Sequence, residues 1–404
     1  MTECDRSVGP IKMAKRDDCG VSGEMRKFSV QTGGIMDGLK FRTAKPKLPP
    51  AAIVGFLGRI RDGLTGLTRR MVPPPVAVVE MLTGFWASQS ISVAAKFGVA
   101  DHMSEDAATS SRALAEKLEL HPDALYRIMR ALSTVGIFAE ERTGEFRLTP
   151  IGATLRTDHP QSMRYFSIYQ GQLNWDNWGA LDHCARTGGN AIEHLHGKKP
   201  FEHISGTPER ADIFDKGMVN VSDMELDPVL AAYDFSPFKT IADIGGGYGA
   251  VLASILMLNP GAKGILFDLP QTADGAKRYF EAAGLGARIT VEGGSFFDGV
   301  PGGADAYLMK HIVHDWSDEE SILIMKNIRA KIPANGKLIL VEHVIPAPGV
   351  PHFSKFLDLE MLVATTGRER TEEEYRALMA KAGFRLDRIV PTISLASVIE
   401  GSPV

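Results

Sequence analysis

An α/β fold built on a parallel, doubly wound sheet, with a helical domain in front of it, is what this sequence predicts, and three observations carry the prediction. Within residues 240–268 a short β-branched run stops at Gly245, four glycines fall within five residues, and helical spacing resumes at Val251, Leu252, Ile255 and Leu256 before a second apolar run ends in Asp268. Beyond it, strand-like and helix-like segments alternate as far as Glu342, which is the pattern of parallel strands joined by helical crossovers. Ahead of it helical spacing prevails, with one short strand-like segment at Phe146-Arg147-Leu148-Thr149. The boundaries read from these shifts are a leader over 1–50, a helical domain over 51–235 and an α/β domain over 236–404.

A length of 404 residues allows two domains of ordinary size, and 44% hydrophobic with 23% charged residues is a globular composition. A net charge of -4 gives no global reason to expect nucleic acid as a partner. Cys4, Cys19 and Cys184 lie far apart without ligand spacing, which argues against a zinc site or a disulfide framework and fits the cytoplasm. No apolar run reads as long enough to span a bilayer, and no secretory signal is read.

Taken in order, residues 1–50 carry scattered charge and little periodicity and read as a disordered leader. Ile53, Val54, Phe56, Leu57, Ile60, Leu64 and Leu67 then recur at helical spacing among Arg59, Arg61, Arg69 and Arg70 until Pro73 ends the element. A basic amphipathic helix of this kind can lie on an anionic membrane surface, and more commonly packs on a partner or on its own domain. From residue 76 to 97 the pattern is one long apolar helix, expected to be buried in the core or against a second subunit. Residues 111–118 and 123–132 read as two short helices joined by a turn, and with the strand at 146–149 they form a winged helix. This raises a second function class, a DNA-binding regulator that senses a nucleoside; Glu116, Glu119 and Asp123 cancel charge beside Arg127 and Arg130 and weigh against it. Aromatics over 158–232, Trp175 among them, are mostly core, and some stand ready to wall a pocket for a flat ligand.

In the α/β domain, strands read at 240–244, 265–268, 288–291, 304–310 and 337–342 would bring Gly245, Asp268, Ser295, Lys310 and Glu342 to their carboxyl ends, where doubly wound sheets bind ligands. Asp268 stands where a βαβ unit puts an acid beside a ribose, so a nucleoside is expected. Gly245, Gly247 and Ala250 also satisfy a dinucleotide pattern, so the loop alone admits either S-adenosyl-L-methionine or a dinucleotide.

The segment Met309-Lys310-His311-Ile312-Val313-His314-Asp315-Trp316-Ser317-Asp318, with Asp243-Ile244-Gly245-Gly246-Gly247-Tyr248-Gly249 and Phe267-Asp268-Leu269-Pro270, resembles the small-molecule O-methyltransferases of the caffeic acid and hydroxyindole type, from about residue 76 to the C-terminus. The resemblance implies a Rossmann-like class I methyltransferase domain behind an N-terminal, all-helical winged-helix dimerisation domain, a homodimer, and S-adenosyl-L-methionine as cofactor. It places cofactor contacts on Gly245, Asp268, Lys310 and, where plant members have Asp-Met, on Ser295 and Phe296. It puts the general base on His314 and the acids that orient it on Glu342 and Glu369. The regions of Met218 and Met361 would line the acceptor pocket, and His311 stands where the family often has an aromatic.

The chemistry agrees with that assignment. A sulfonium methyl is already an electrophile, so the protein has to take a proton from the acceptor and hold its oxygen in line. A phenol loses its proton near pH 10, and an imidazole is the natural base at neutral pH. The acceptor expected is an aromatic or polycyclic hydroxyl, the alternative a carotenoid hydroxyl at a membrane surface, and transfer to nitrogen or carbon also occurs in the family. No metal is expected, because no acid cluster at ligand spacing is read beside the acceptor site.

Overall fold

The computed structural model describes residues 42–49 and 51–404, so the leader expected over 1–50 lies outside the described residues apart from 42–49. There Arg42 is anchored, its guanidinium 2.6 Å from Asp227 and 3.1 Å from Asp223. The amphipathic helix is present as α1 (Ala51–Arg70). Of its expected apolar positions Ile53, Phe56, Leu57, Ile60, Leu64 and Leu67 are exposed by 44 to 57%, and Val54 is half-buried.

The apolar run that reads as one buried helix is two, α2 (Pro74–Leu82) and α3 (Gly84–Lys96). They meet at Thr83, whose hydroxyl donates to the Val79 carbonyl at 2.8 Å. Burial is sparse, limited to Ala77 of α2 and to Ser92, Ala94 and Ala95 at the end of α3, while Val79, Leu82 and Trp86 are 57, 67 and 63% exposed. The 23 residues Pro74–Lys96 are long and apolar enough, by length and composition, to cross a membrane, which corrects the reading that no run is. Polar Thr83, Ser88, Gln89 and Ser90 hide this in the sequence, yet only Glu80 and Lys96 carry charge.

Two helices, α4 (Ser111–Lys117) and α5 (Pro122–Ser133), precede a hairpin of β2 (Phe138–Arg142) and β3 (Glu145–Leu148). β1 (Thr109–Ser110) completes a three-stranded sheet in the order β1-β3-β2, of which only β3 was legible in the sequence. Leu125, Met129 and Leu132 of α5 are buried with Phe138, Phe146 and Leu148. Both arginines of α5 are engaged: Arg130 lies over the Tyr126 ring at 5.1 Å and Arg127 pairs with Asp123 at 3.8 Å.

Behind this domain the long helix Pro208–Ala232 leads into the main sheet. Its strands are β4 (Thr240–Ile244), β5 (Lys263–Asp268), β6 (Ile289–Gly293), β7 (Ala306–Lys310), β8 (Lys337–Ile345), β9 (Arg370–Thr371), β10 (Phe384–Pro391) and β11 (Ala396–Pro403). The order is β10-β11-β8-β7-β4-β5-β6, parallel from β8 to β6, with β9 beside the end of β8 and an antiparallel β10–β11 hairpin closing the edge. Near-continuous apolar runs such as Tyr307-Leu308-Met309 and Leu338-Ile339-Leu340-Val341 are fully buried, as strands covered on both faces require. Glu342 lies inside β8 and not at its end. Because Lys310 pairs with Val341, Glu342 still stands one residue past the last level of β7, on the rim.

Candidate active site

The rim is assembled from the glycine loop after β4, the end of β5 and the turn after β7. Gly245, Gly247 and Gly249 have φ of 70, 60 and 82°, so the loop runs through the left-handed region three times, as glycine permits. Asp268 ties loop to strand: its carboxylate accepts from the Gly247 amide at 2.8 Å and from the Leu269 amide at 2.7 Å. Burial raises its pKa against those two bonds. Asp243, below the loop, is 1% exposed; burial and the nearby Asp268 push it up to about 7, and its Oδ2 has no hydrogen-bond partner among the described residues. Asp215, on the long helix, is raised to about 6 by burial, Asp212 and Asp268. Carboxyls held above their ordinary values by burial, and in Asp243 and Asp215 by the neighbouring Asp268 as well, suit a ligand carrying positive charge, as the sulfonium and ammonium of S-adenosylmethionine do.

Phe296 packs edge-on to Phe297 and Trp316, at 4.9 and 5.9 Å between centroids. Asn327 donates to the Phe296 and Phe297 carbonyls, and the Ser295 hydroxyl accepts from the Phe297 amide at 3.3 Å. Trp316 stacks on Phe201, and beside them a cavity of about 310 Å³ opens, lined in part by Lys199, Asp315, Glu320 and Thr365.

His314 sits in the tight turn between β7 and the helix Asp318–Arg329 and is 8% exposed. Five contacts fix this turn. Ser317 and Glu320 form a capping box, Ser321 donates to the Val313 and Trp316 carbonyls, and buried Arg370 bonds the Val313 and Trp316 carbonyls and Asp318. The fourth is Glu342, whose Oε1 accepts from the amides of Ile312 and Val313 at 3.0 and 2.8 Å. The fifth is Gly367, where a Cβ would stand 2.0 Å from the His314 carbonyl oxygen, so nothing larger fits. The turn also touches the glycine loop: a Cβ on Gly245 would be 2.5 Å from the Ile312 side chain.

The two acids assigned to His314 do different things. Glu369 accepts from His314 Nδ1 at 2.9 Å, whereas Glu342 Oε2 stays 3.7 Å from the same nitrogen and acts on the backbone of the turn. Burial alone would lower the His314 pKa, but the Glu342, Glu369 and Asp315 carboxylates outweigh it and raise it to about 10. Burial would raise Glu369, and the two histidines bonded to it bring it down to about 2.

The second of those histidines was not assigned from sequence. His343 Nδ1 meets the same Glu369 oxygen at 2.9 Å, and its Nε2 lies 3.1 Å from Oε1 of Glu225. Glu225, 4% exposed on the long helix, also takes His311 Nε2 at 2.5 Å and Lys310 Nζ at 3.1 Å on its other oxygen. Lys310 further donates to Ser222 at 3.2 Å. A sequence signal existed: an acid at position 225 directly precedes the buried Leu226, Val229 and Leu230. The expectation that no acid cluster stands here is therefore corrected. His311, His314 and His343, or His314 with Glu342 and Glu369, bring atoms within 4.8 Å of one another and could hold a metal ion. Folding joins residues far apart in the chain, which spacing along the sequence cannot reveal.

Among the expected pocket residues, Met218 shares a helical stripe with Asp215, Ser222 and Glu225, which faces the rim. His311 is in the cluster and has a φ of 54°. Met361 is buried beside Glu360, which Trp178 and Asn174 bond at 2.6 Å each. Trp175 makes its ring contact with Phe85 of α3, 5.8 Å away, and is 38% exposed.

Residues 178–385 match the O-methyltransferase domain family and residues 79–158 the O-methyltransferase dimerisation domain family. The phenazine O-methyltransferase PhzM of Lysobacter antibioticus is 40% identical over 333 residues, 82% of this chain and 97% of that protein. The O-demethylpuromycin-O-methyltransferase of Streptomyces alboniger is 37% identical over 81% of this chain and 89% of its own length. Among solved structures, the O-methyltransferase NcsB1 of neocarzinostatin biosynthesis, in complex with S-adenosylmethionine and 2-hydroxy-5-methyl naphthoic acid, superposes with a TM-score of 0.68 at 29% identity, covering 78% of this chain and 96% of that one.

Proposed function

This chain belongs to the S-adenosylmethionine-dependent O-methyltransferase family, and we propose that it methylates a hydroxyl on an aromatic or polycyclic small molecule with His314 as general base and Glu369 as its orienting acid. The observation that carries the reading is the 2.9 Å bond from His314 Nδ1 to buried Glu369. It fixes the tautomer and leaves Nε2, 3.8 Å from Asp315 and so without a hydrogen bond to it, to meet the acceptor. When bound, S-adenosylmethionine supplies a methyl group already activated on a positively charged sulfur.

Gly245, Asp268, Ser295 and Phe296 would hold that cofactor along the rim. Lys310 belongs to the same end but spends its charge on Glu225. A base has to be unprotonated when the acceptor arrives. His314, held near 10 by its carboxylates, gives up its proton more readily once a positive charge enters beside it, because like charge disfavours imidazolium. The same charge acidifies a phenol placed beside it, so proton transfer between them stays nearly balanced. Met218, Met361 and His311 would border the acceptor, and the exposed apolar surface of α2 and α3 would be covered by a second copy of the chain.

The test is His314→Ala, assayed with labelled cofactor against phenols, hydroxyphenazines, hydroxynaphthoates, polyketides and hydroxylated carotenoids. The rate should fall by about 10²- to 10⁴-fold. Affinity for S-adenosylhomocysteine by calorimetry should stay within about threefold, well under the tenfold that corresponds to about 1.4 kcal/mol. Equal rates in mutant and wild type would overturn the base assignment. Activity is expected to survive EDTA; loss restored by a divalent ion would move the histidine cluster to a metal-dependent role.

A further inference from the structure

We propose that His343 and Glu225 are positioning residues for the methyl transfer, an imidazole bonded at both nitrogens and the carboxylate behind it, which together fix the ring and the proton of His314 through the Glu369 oxygen. The inference rests on His314 being the base. Its evidence is the chain of contacts His314–Glu369–His343–Glu225, with separations of 2.9, 2.9 and 3.1 Å. All four residues are 8% exposed or less, so water screens them little.

One Glu369 oxygen accepting two N–H groups requires that both histidines carry their proton on Nδ1. The remaining nitrogen of His343 faces a second carboxylate, and an imidazole between two carboxylates is stable as the cation with both N–H groups donating. Burial would lower the His343 pKa, but its bonds to Glu225 and Glu369 raise it to about 9, in line with that geometry. A permanent cation there takes up part of the Glu369 charge. His314 is then less strongly held as imidazolium than Glu369 and Glu342 alone would hold it, and more of it is free to accept a proton at neutral pH.

Glu225 extends the device beyond the sheet and its turns. It comes from the long helix Pro208–Ala232 and bonds His311 and Lys310 with the oxygen that His343 does not use. The charged and titratable groups facing the network are Lys310, His311, His314 and Asp315 from the turn, Glu342 from β8, His352, and Asp358, which accepts from the Glu369 amide at 3.0 Å. Tyr375 closes it from below, its hydroxyl 3.3 Å from the His343 carbonyl.

The experiment is the pH dependence of kcat for His343→Gln and Glu225→Gln, beside a ¹⁵N spectrum of histidine-labelled enzyme saturated with S-adenosylhomocysteine. In His343→Gln the acidic limb of kcat should move up by about one pH unit, the size of a neighbouring-charge effect, with about tenfold loss at pH 7 that is recovered at higher pH. Glu225→Gln should move the limb in the same direction and also raise the KM for cofactor, since Lys310 and His311 lose their partner. His343 should carry protons on both nitrogens at pH 7.5.

A merely structural role would lower the rate at every pH and leave the limb in place, and that result overturns the proposal, as does a neutral His343 at pH 7.5. Should His343→Gln fail to fold, the spectrum of the unmutated enzyme and the Glu225→Gln profile still decide. Failure of the base assignment is distinguishable, because it appears as full activity in His314→Ala.

Discussion

Asp243 is buried below the glycine loop with one oxygen unpartnered, held up at about 7 by burial and by Asp268. At pH 7.5 it retains part of a proton, and cofactor-free His314 retains nearly all of one. A cation entering the rim lowers both pKa values, so both groups lose protons on binding. S-adenosylmethionine is therefore expected to release more protons than S-adenosylhomocysteine, which lacks the sulfonium charge. Calorimetry in buffers of different ionisation enthalpy reads this directly, and equal release by the two ligands would contradict it. Asp243→Asn should remove part of the difference. At this scale the sequence was most informative where a motif is contiguous: His314 and Asp268 stand in runs whose neighbours identify them. Glu225 and His343 were illegible because their meaning is a contact across 118 residues, and each alone is an ordinary helix acid or strand histidine.

The two loops that meet at the rim can be separated by two single-atom changes. Gly249 begins the helix Ala250–Leu258 with a φ of 82°, and a Cβ there would stand 2.1 Å from the Phe280 ring. Gly249→Ala combines an unfavourable backbone conformation with overpacking, about 2–4 kcal/mol together, and should weaken S-adenosylhomocysteine binding by about tenfold or more. Gly367→Ala acts on the other loop. Its Cβ would meet the His314 oxygen at 2.0 Å and the Trp316 nitrogen at 2.5 Å, so the turn that carries His314 has to move. Here kcat should fall by about a hundredfold, the cost of a displacement near 1 Å, while S-adenosylhomocysteine affinity holds. If both variants lose binding and rate in the same proportion, the division into cofactor loop and base turn is wrong. Neither packing role is visible in sequence: Gly249 reads as one more glycine of the loop, and Gly367 acquires its partner only when β9 docks beside β8. The parallel strands were legible because apolar runs end in turn signals, whereas the β10–β11 return reverses direction without any crossover to announce it.

For the whole molecule the long helix decides the architecture, since one stripe of it, Asp215, Met218, Ser222 and Glu225, spans the rim from the Asp268 end to the histidine cluster. The site is thus built from this helix as well as from the sheet and its turns, and motion of the helix would disturb both ends of the rim. That makes the exposed apolar surface of α2 and α3 relevant to catalysis, because Gln89 of α3 donates to the Gly171 carbonyl and Trp175 packs on Phe85. Val79, Leu82 and Trp86 recur at helical spacing and remain more than half exposed in the single chain, a surface too apolar to face water over so long a stretch. A second copy lying on it is expected to give twice the chain mass in light scattering at micromolar concentration. Replacing Val79 and Leu82 together by Glu puts two charges into that contact and should yield the single-chain mass. Because α3 also holds Gly171 and Trp175, beside the expected acceptor pocket, the charged variant should raise the acceptor KM more than it alters S-adenosylhomocysteine affinity. A wild-type chain that stays single at that concentration, with full activity, would show that the site is complete without a partner and that the apolar surface answers to something else.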